Sequence, residues 1–271
     1  MNSDEIIKHY ERFNESTRLN STFGLIQFER TKELIQRYLD GTKLTILDIG
    51  GGCGNYTFWL TTEGHFVHLV DIVPHHIELA KALSLEKKIY PTSIKVGNAL
   101  NLEFKNESAD AILLFGPMYH LANKDERLQA LRECFRVLRP GGQLFIHAIG
   151  RYSGIVYGLT SGYILKEDFI KMIRTEIATG HRVNAPEWLN TFNEAHFHLP
   201  NELQEEIENC GIKCEKILGV VGLSWLLPNI EKAFQDDEKK QRLLEAARLM
   251  ENEPAISPDI IAICKKKVIH N

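Results

Sequence analysis

Apolar side chains recur at helical spacing over residues 4–40: Ile6, Ile7, Tyr10 and Phe13, then Leu25, Phe28, Leu34, Ile35, Tyr38 and Leu39. That period predicts two helices, broken near the segment LNSTFG and stopped by Gly41. The pattern then changes to short aliphatic runs separated by amphipathic stretches. KLTILDIG, HFVHLVDI, TSIKVGNAL, ADAILLFGP and GQLFIHAIG read as strands. NYTFWLTTEG, VPHHIELAKALSLEKK and NKDERLQALRECFRVLRPGG read as the helices between them, the last stopped by Pro-Gly-Gly. Strands alternating with helices predict a parallel sheet covered on both faces, because each crossover lays a helix on the sheet.

After Gly150 the pattern breaks into aromatics and short helical signals over 151–199, which predicts an inserted lobe. NELQEEIENCG resumes a helix and IKCEKILGVVG a strand; a long charged helix or helix pair follows, and SPDIIAICKKK closes the chain as a strand. The expected organisation is N-terminal helices over 1–42, a core over 43–150, a lid lobe over 151–199, and completion of the sheet over 200–271 with a helical insertion at about 226–254. The N-terminal helices and the lobe are expected to flank the C-terminal ends of the strands, where open α/β sheets bind ligands.

Composition narrows the function. The chain has 271 residues, 44% hydrophobic and 25% charged, with net charge −4. Its longest basic run is Lys265-Lys266-Lys267, which argues against a dedicated nucleic-acid binder. No apolar run reaches the ~18 residues of a membrane span. The N-terminal MNSDEIIKHY lacks the basic and apolar regions of a secretory signal. Five scattered cysteines without CxxC fit reduced thiols, so a cytoplasmic protein is expected.

The candidate chemistry begins at Asp48-Ile49-Gly50-Gly51-Gly52-Cys53-Gly54, a D-x-G-x-G-x-G run between a strand and a helix. Glycine allows positive φ and removes the Cβ that would hold a ligand off the backbone. A dinucleotide fingerprint counted from Gly50 needs Gly or Ala at position 55, where Asn55 stands, and no P-loop G-K-[ST] follows.

Four motifs in order then carry a resemblance. ILDIGGGCG, Asp71 at the end of LVDI, GNAL after the third strand, and DAILLFGPMYHL, with RPGG beyond, resemble class I S-adenosylmethionine-dependent methyltransferases over residues 44–150. The GPxYHL form, and FHLPNEL further on, are similar to a bacterial group acting on small molecules. The resemblance implies an α/β, doubly wound, Rossmann-like and mainly parallel seven-stranded sheet, with S-adenosyl-L-methionine as cofactor. It implies Gly50, Gly52 and Gly54 with the backbone near Phe115 beside the cofactor's amino acid end, and Asp48 toward its ammonium group. Asp71 would grip the ribose hydroxyls, a task for two acceptor oxygens. Ile72 would face adenine, as would Asn98 and Ala99; Asn98 replaces the Asp of most relatives and accepts without charge. Arg18 is a candidate for the cofactor carboxylate, with a plain surface arginine as the equal alternative.

For the acceptor, His120 is the candidate base and Tyr119 a pocket wall; a helix-capping role is the alternative for His120. His147, in the middle of the fifth strand, reads as a core histidine. His196 and His198 lie two apart, on one face if the segment is a strand. With no third ligand legible, His198 reads as a pocket residue and no metal is expected. His75 and His76 read as solvated. Of the lobe's aromatics, Tyr152 and Tyr157, with Trp225 later, are the acceptor-pocket candidates. The resulting expectation is methyl transfer to a small-molecule N, O or S acceptor. Partners would be that acceptor, with no nucleic acid and no membrane, in a monomer or homodimer. An RNA or protein methyltransferase, a non-catalytic adenosylmethionine-binding protein and a nicotinamide oxidoreductase are the alternatives.

Overall fold

The computed structural model describes residues 6, 7, 10, 22–189 and 191–267. Its strands are β1 (Thr45–Ile49), β2 (Phe66–Asp71), β3 (Ser93–Val96), β4 (Ala109–Phe115), β5 (Leu138–Ile149), β6 (His181–Arg182), β7 (Ala195–His196), β8 (Ile212–Gly219) and β9 (Asp259–Lys266). Seven of them form one sheet in the order β3-β2-β1-β4-β5-β9-β8, and β6 and β7 make a separate ribbon. Pairing is parallel from β3 across to β5; β9 then runs antiparallel between β5 and β8. This is the doubly wound, mainly parallel sheet expected from the sequence. The strand order turns back between β1 and β4, so successive crossovers leave in opposite directions and a crevice opens at the C-terminal ends of those strands.

The helices are α1 (Thr22–Tyr38), α2 (Asn55–Thr62), α3 (Pro74–Lys87), α4 (Pro117–His120), α5 (Lys124–Val137), α6 (Ser153–Thr160), α7 (Glu167–Thr179), α8 (Pro200–Glu208), α9 (Ile230–Phe234) and α10 (Asp237–Met250). Because strand side chains alternate between faces, one aliphatic run serves two cores. Ile46, Ala111, Leu113 and Phe145 pack with Ile26, Leu34 and Ile35 of α1 and with Leu243 and Leu244 of α10. Their neighbours Leu47, Ile112, Leu114, Leu144 and Ile146 pack on the other face with Leu131 of α5 and with Leu203 and Ile207 of α8.

One boundary differs from expectation. Pro140-Gly141-Gly142 does not precede β5 but lies inside it, where the register against β4 jumps from Ala109↔Leu138 to Ala111↔Gln143. A Cβ on Gly142 would stand 2.9 Å from the carbonyl oxygens of both Arg139 and Asp110. The chain therefore bulges where only glycine fits, and resumes pairing.

Between β5 and α8, the helices α6 and α7 and the segment through Leu189 pack around Phe169, Met172 and Ile173. The chain returns at His198, whose N–H donates to Ile149 O at 2.8 Å while its carbonyl accepts from Arg151 N at 2.9 Å. Arg127 of α5 fastens this junction. Its Nε and Nη2 donate to Oε2 and Oε1 of Glu206 at 2.9 and 2.7 Å, and its Nη1 donates to the carbonyls of Leu121 and Ala122. Arg127 is 2% exposed, so α8 and the chain after β4 are tied by a buried, bidentate ion pair.

Burial pushes the Glu206 carboxyl up, but Arg127 and the nearby His198 outweigh it and hold the group at about 2. Glu206→Gln is expected to cost about 3–5 kcal/mol at neutral pH, the range for breaking one member of a buried pair. Because the folded group titrates below its ordinary 4.5, its stabilisation is complete above that pH and is lost as pH falls toward about 2. Denaturant unfolding at neutral pH and near the middle of that window should show the gap between wild type and variant narrowing in acid. A gap of constant size would break the assignment.

Candidate active site

The glycine run leaves β1 as a tight turn with positive φ at Gly50 (75°), Gly52 (57°) and Gly54 (88°). A Cβ on Gly50 would stand 2.2 Å from Phe115 O, and one on Gly51 2.5 Å from a carboxylate oxygen of Asp48. Bare backbone is thus forced from both sides, by the end of β4 and by the floor of the turn. Gly54 serves as the left-handed cap of α2 and does not line the cavity described below.

Asp71, at the end of β2, holds the turn in place. Its Oδ2 accepts from Gly52 N at 2.8 Å and its Oδ1 from Val73 N at 2.9 Å, with His76 Nδ1 3.2 Å from Oδ1. A carboxylate has about four lone-pair sites, so capacity remains for further donors. His76 is buried rather than solvated, since it packs under this carboxylate; His75 is exposed.

Asp48 departs from expectation. It is 0% exposed, accepts from Thr57 Oγ1 at 2.6 Å and lies beneath the turn, away from the cavity. Burial pushes its carboxyl up to about 6; the Thr57 hydrogen bond offsets part of this and the charge of Asp71 adds to it. It supports the turn from below, because at the second-last position of β1 its side chain points into the layer between sheet and α2.

A cavity of about 580 Å³ lies over the C-terminal ends of the strands. On the β1–β2–β3 side it is bounded by Gly50, Gly52, Asp71, Ile72, Asn98 and Ala99. The Asn98 oxygen already accepts from Leu100 N at 2.9 Å, closing a local turn. On the β4–β5–β9 side stand Phe115, Tyr119, His120, His147 and Asp259, joined by Tyr157 and Trp225. Of the expected residues, Arg18 lies outside the described residues. Tyr152 and His198 do not line the cavity: Tyr152 is 43% exposed at the start of α6, and His198 is fully buried between β5 and α8.

His120 Nε2 lies 2.9 Å from the hydroxyl of Tyr10. Its ring also packs edge-on against Phe192 and close to Tyr119. An N-terminal residue, a lobe residue and the end of β4 therefore meet in one aromatic roof. Sequence reasoning missed a second constellation. Gln27 Nε2 donates to Asp259 Oδ2 at 3.0 Å, and His147 Nε2 lies 3.2 Å from both Asp259 Oδ2 and Gln27 Nε2. All three line the cavity. The legible signal was Asp259, an acidic residue opening an otherwise aliphatic strand.

The structure also brings Glu206 to His196 and His198 as a buried third member that the sequence did not reveal. Burial, with the charges of His198 and Arg127 adding, pushes the His196 imidazole down to about 2. Both Glu206 oxygens are taken by Arg127. A second cation there would face an unscreened guanidinium, so the cluster reads as part of the ion-pair junction.

Residues 46–142 match the model of a methyltransferase domain. Over 114 residues the chain is 35% identical to the demethylmenaquinone methyltransferase of Lactococcus lactis, covering 41% of this chain and 44% of that protein. Over 118 residues it is 33% identical to a Homo sapiens protein named "Probable tRNA methyltransferase 9B", covering 44% of this chain and 24% of that one. The chain thus spans less than half the length of either. The fold is similar to that of a SAM-dependent methyltransferase from Methanosarcina mazei (TM-score 0.62, 20% identity, 87% of this chain and 98% of the other). It is also similar to the geranyl diphosphate C-methyltransferase of Streptomyces coelicolor, solved with S-adenosyl-L-homocysteine (TM-score 0.55, 14% identity, 88% and 79%). Residues 46–142 therefore match a methyltransferase domain, and the chain shares the Rossmann-like fold of these solved methyltransferases.

The glycine constraint can be measured by a matched pair. Gly64 also has positive φ (89°), but a Cβ there would meet nothing within 4 Å. Gly64→Ala is expected to cost about 1–2 kcal/mol, the left-handed penalty alone. Gly50→Ala should cost clearly more in denaturant unfolding, because backbone must also move. Equal costs would show that β4 does not press on the turn.

Proposed function

We propose that this protein is an enzyme that moves a methyl group from S-adenosyl-L-methionine to a small molecule bound in the cavity. The observation that carries the reading is the cavity itself. It runs from the glycine turn to an aromatic chamber roofed by Tyr10, Phe192 and the lobe, a shape suited to a compact acceptor. The lobe, residues 151–199, has five Lys or Arg and five Asp or Glu, without the basic excess that a polymer of phosphates calls for. Among the described residues no helix is long and apolar enough to cross a membrane. The tRNA name of one relative keeps RNA as the competing acceptor.

The cofactor fits the residues present. Gly50 and Gly52 offer bare backbone for its amino acid end, in a cradle that a Cβ would fill. Asp71 supplies acceptor oxygens for the ribose hydroxyls, and Ile72 and Ala99 supply apolar faces for adenine. When bound, S-adenosyl-L-methionine brings a methyl group on a sulfonium, already a strong electrophile. The protein's remaining tasks are to align the acceptor and exclude water. Phe115, Tyr119 and Trp225 wall the acceptor. His120, held by Tyr10 and Phe192, closes the roof over the junction of the two halves.

Asp71→Ala is expected to weaken S-adenosyl-L-methionine binding by about 1–3 kcal/mol in calorimetry, the cost of polar groups left unpaired. Unchanged affinity would remove Asp71 from the ribose role. Incubation with methyl-labelled cofactor and a fractionated cell extract tests the acceptor. Label in compounds of low mass is expected; label confined to RNA or protein would reverse the acceptor assignment.

A further inference from the structure

We propose that Cys214 and Cys264 form a reversible disulfide site: on contact with a hydroperoxide the two thiols join, and the bridge staples edge strand β8 to β9.

The site comes from strand register. Cys214 and Cys264 stand directly opposite each other in the antiparallel β8–β9 pair. Opposed residues share a face, and both side chains pack on the α5–α8 side of the sheet. Such pairing holds Cα atoms about 4.5–5.5 Å apart, inside the span of about 4.4–6.8 Å that a disulfide bridges. The Cβ atoms of opposed residues are about 4.5–5.5 Å apart, and a bridge needs about 3.5–4.5 Å, so one strand has to close on the other. β8 can do this. It is the outermost strand of the sheet, and its register shifts between Cys214 and Lys216. A bulge there loosens the ladder beside the cysteine.

The two thiols differ in the way the chemistry requires. Cys264 is buried, which pushes its thiol up and keeps it protonated. Cys214 is half-buried. The hydrogen bond from Cys264 holds its thiol below the usual value, against burial and the charges of Glu208 and Glu215. The thiolate is the attacking form. Cys214 is therefore the accessible nucleophile and Cys264 the resolving partner. The other cysteines lack this arrangement. Burial pushes the thiols of Cys134 and Cys210 up, and Cys53 is buried within the glycine turn.

In the step, the Cys214 thiolate attacks one oxygen of the hydroperoxide. The S–O bond forms, the O–O bond breaks, and the departing oxygen takes a proton from solvent and leaves as water or alcohol. The Cys264 sulfur then attacks the sulfenic acid on Cys214. The S–S bond forms, and the hydroxyl leaves with the Cys264 proton as water. Two electrons have passed from the two sulfurs to the peroxide. A small-molecule thiol reverses the step by attack at the more accessible Cys214 sulfur, through a mixed disulfide. The bridge closes a loop of roughly fifty residues, which removes conformational freedom from the unfolded chain. That loop carries α9, α10 and the cavity residue Trp225.

The test uses the full chain and hydrogen peroxide, with thiols counted in denaturant under non-reducing conditions. The reduced protein should titrate five thiols, and the oxidised protein three, five less the pair. Digestion should yield a linked Cys214–Cys264 peptide that dithiothreitol removes. Cys264→Ser should instead stop at a sulfenic acid on Cys214, trapped by dimedone and read by mass, and Cys214→Ser should form no bridge. The bridged protein should unfold at a higher denaturant midpoint than the reduced protein, with no such shift in peroxide-treated Cys214→Ser. Five thiols retained after peroxide, a bridge between other cysteines, or equal midpoints for the bridged and reduced forms would each overturn the proposal.

Discussion

The close approach of two strand ends governs this structure. Gly50 at the tip of β1 sits so near Phe115 at the tip of β4 that a single methyl group would lie 2.2 Å from the carbonyl oxygen. The consequence is an opening at the switch point of the sheet, floored by backbone rather than by side chains. Asp48 below and Asp71 beside the turn convert that steric fact into a fixed shape. The first accepts from Thr57 and the second from Gly52 N. The two carboxylates differ in burial, and only Asp71 reaches the cavity. The same residue type therefore serves as a buried foundation in one place and lines the cavity in the other.

Above this floor the cavity is closed by parts of the chain that are far apart in sequence. Tyr10, His120 and Phe192 meet ring to ring. The lobe that carries Phe192 is attached through His198 to β5 and through Glu206 to Arg127. Breaking that ion pair would leave a buried charge uncompensated, which is why the junction is expected to hold the lobe in one position. Apolar burial closes the chamber, and one buried ion pair sets where it closes.

The chamber then has two chemical ends. On the β1–β2–β3 side, carboxylate and bare amides suit a polar nucleoside carrying a cation. On the β4–β5–β9 side, aromatic rings surround one histidine–carboxylate pair. That division gives the two ends of one cavity different chemistry.

Much of this was legible in residue order. The period of the aliphatic runs gave the parallel sheet, and the ordered glycine, Asp71, GNAL and GPMYHL motifs gave residues that line the cavity, because those segments are contiguous with the strands that carry them. The direction of a side chain off a strand was less legible: Asp48 turned inward, His198 entered the junction, and Tyr152 faced solvent. The pairing of Gln27, His147 and Asp259 could not be read at all. These residues come from a helix before β1, the C-terminal end of β5 and the start of β9, and they meet only because β9 inserts antiparallel beside β5, with Ile149 opposite Asp259. Local pattern determines which element a residue belongs to; only the strand order, set by burial on both faces of the sheet, decides which distant side chains share a cavity.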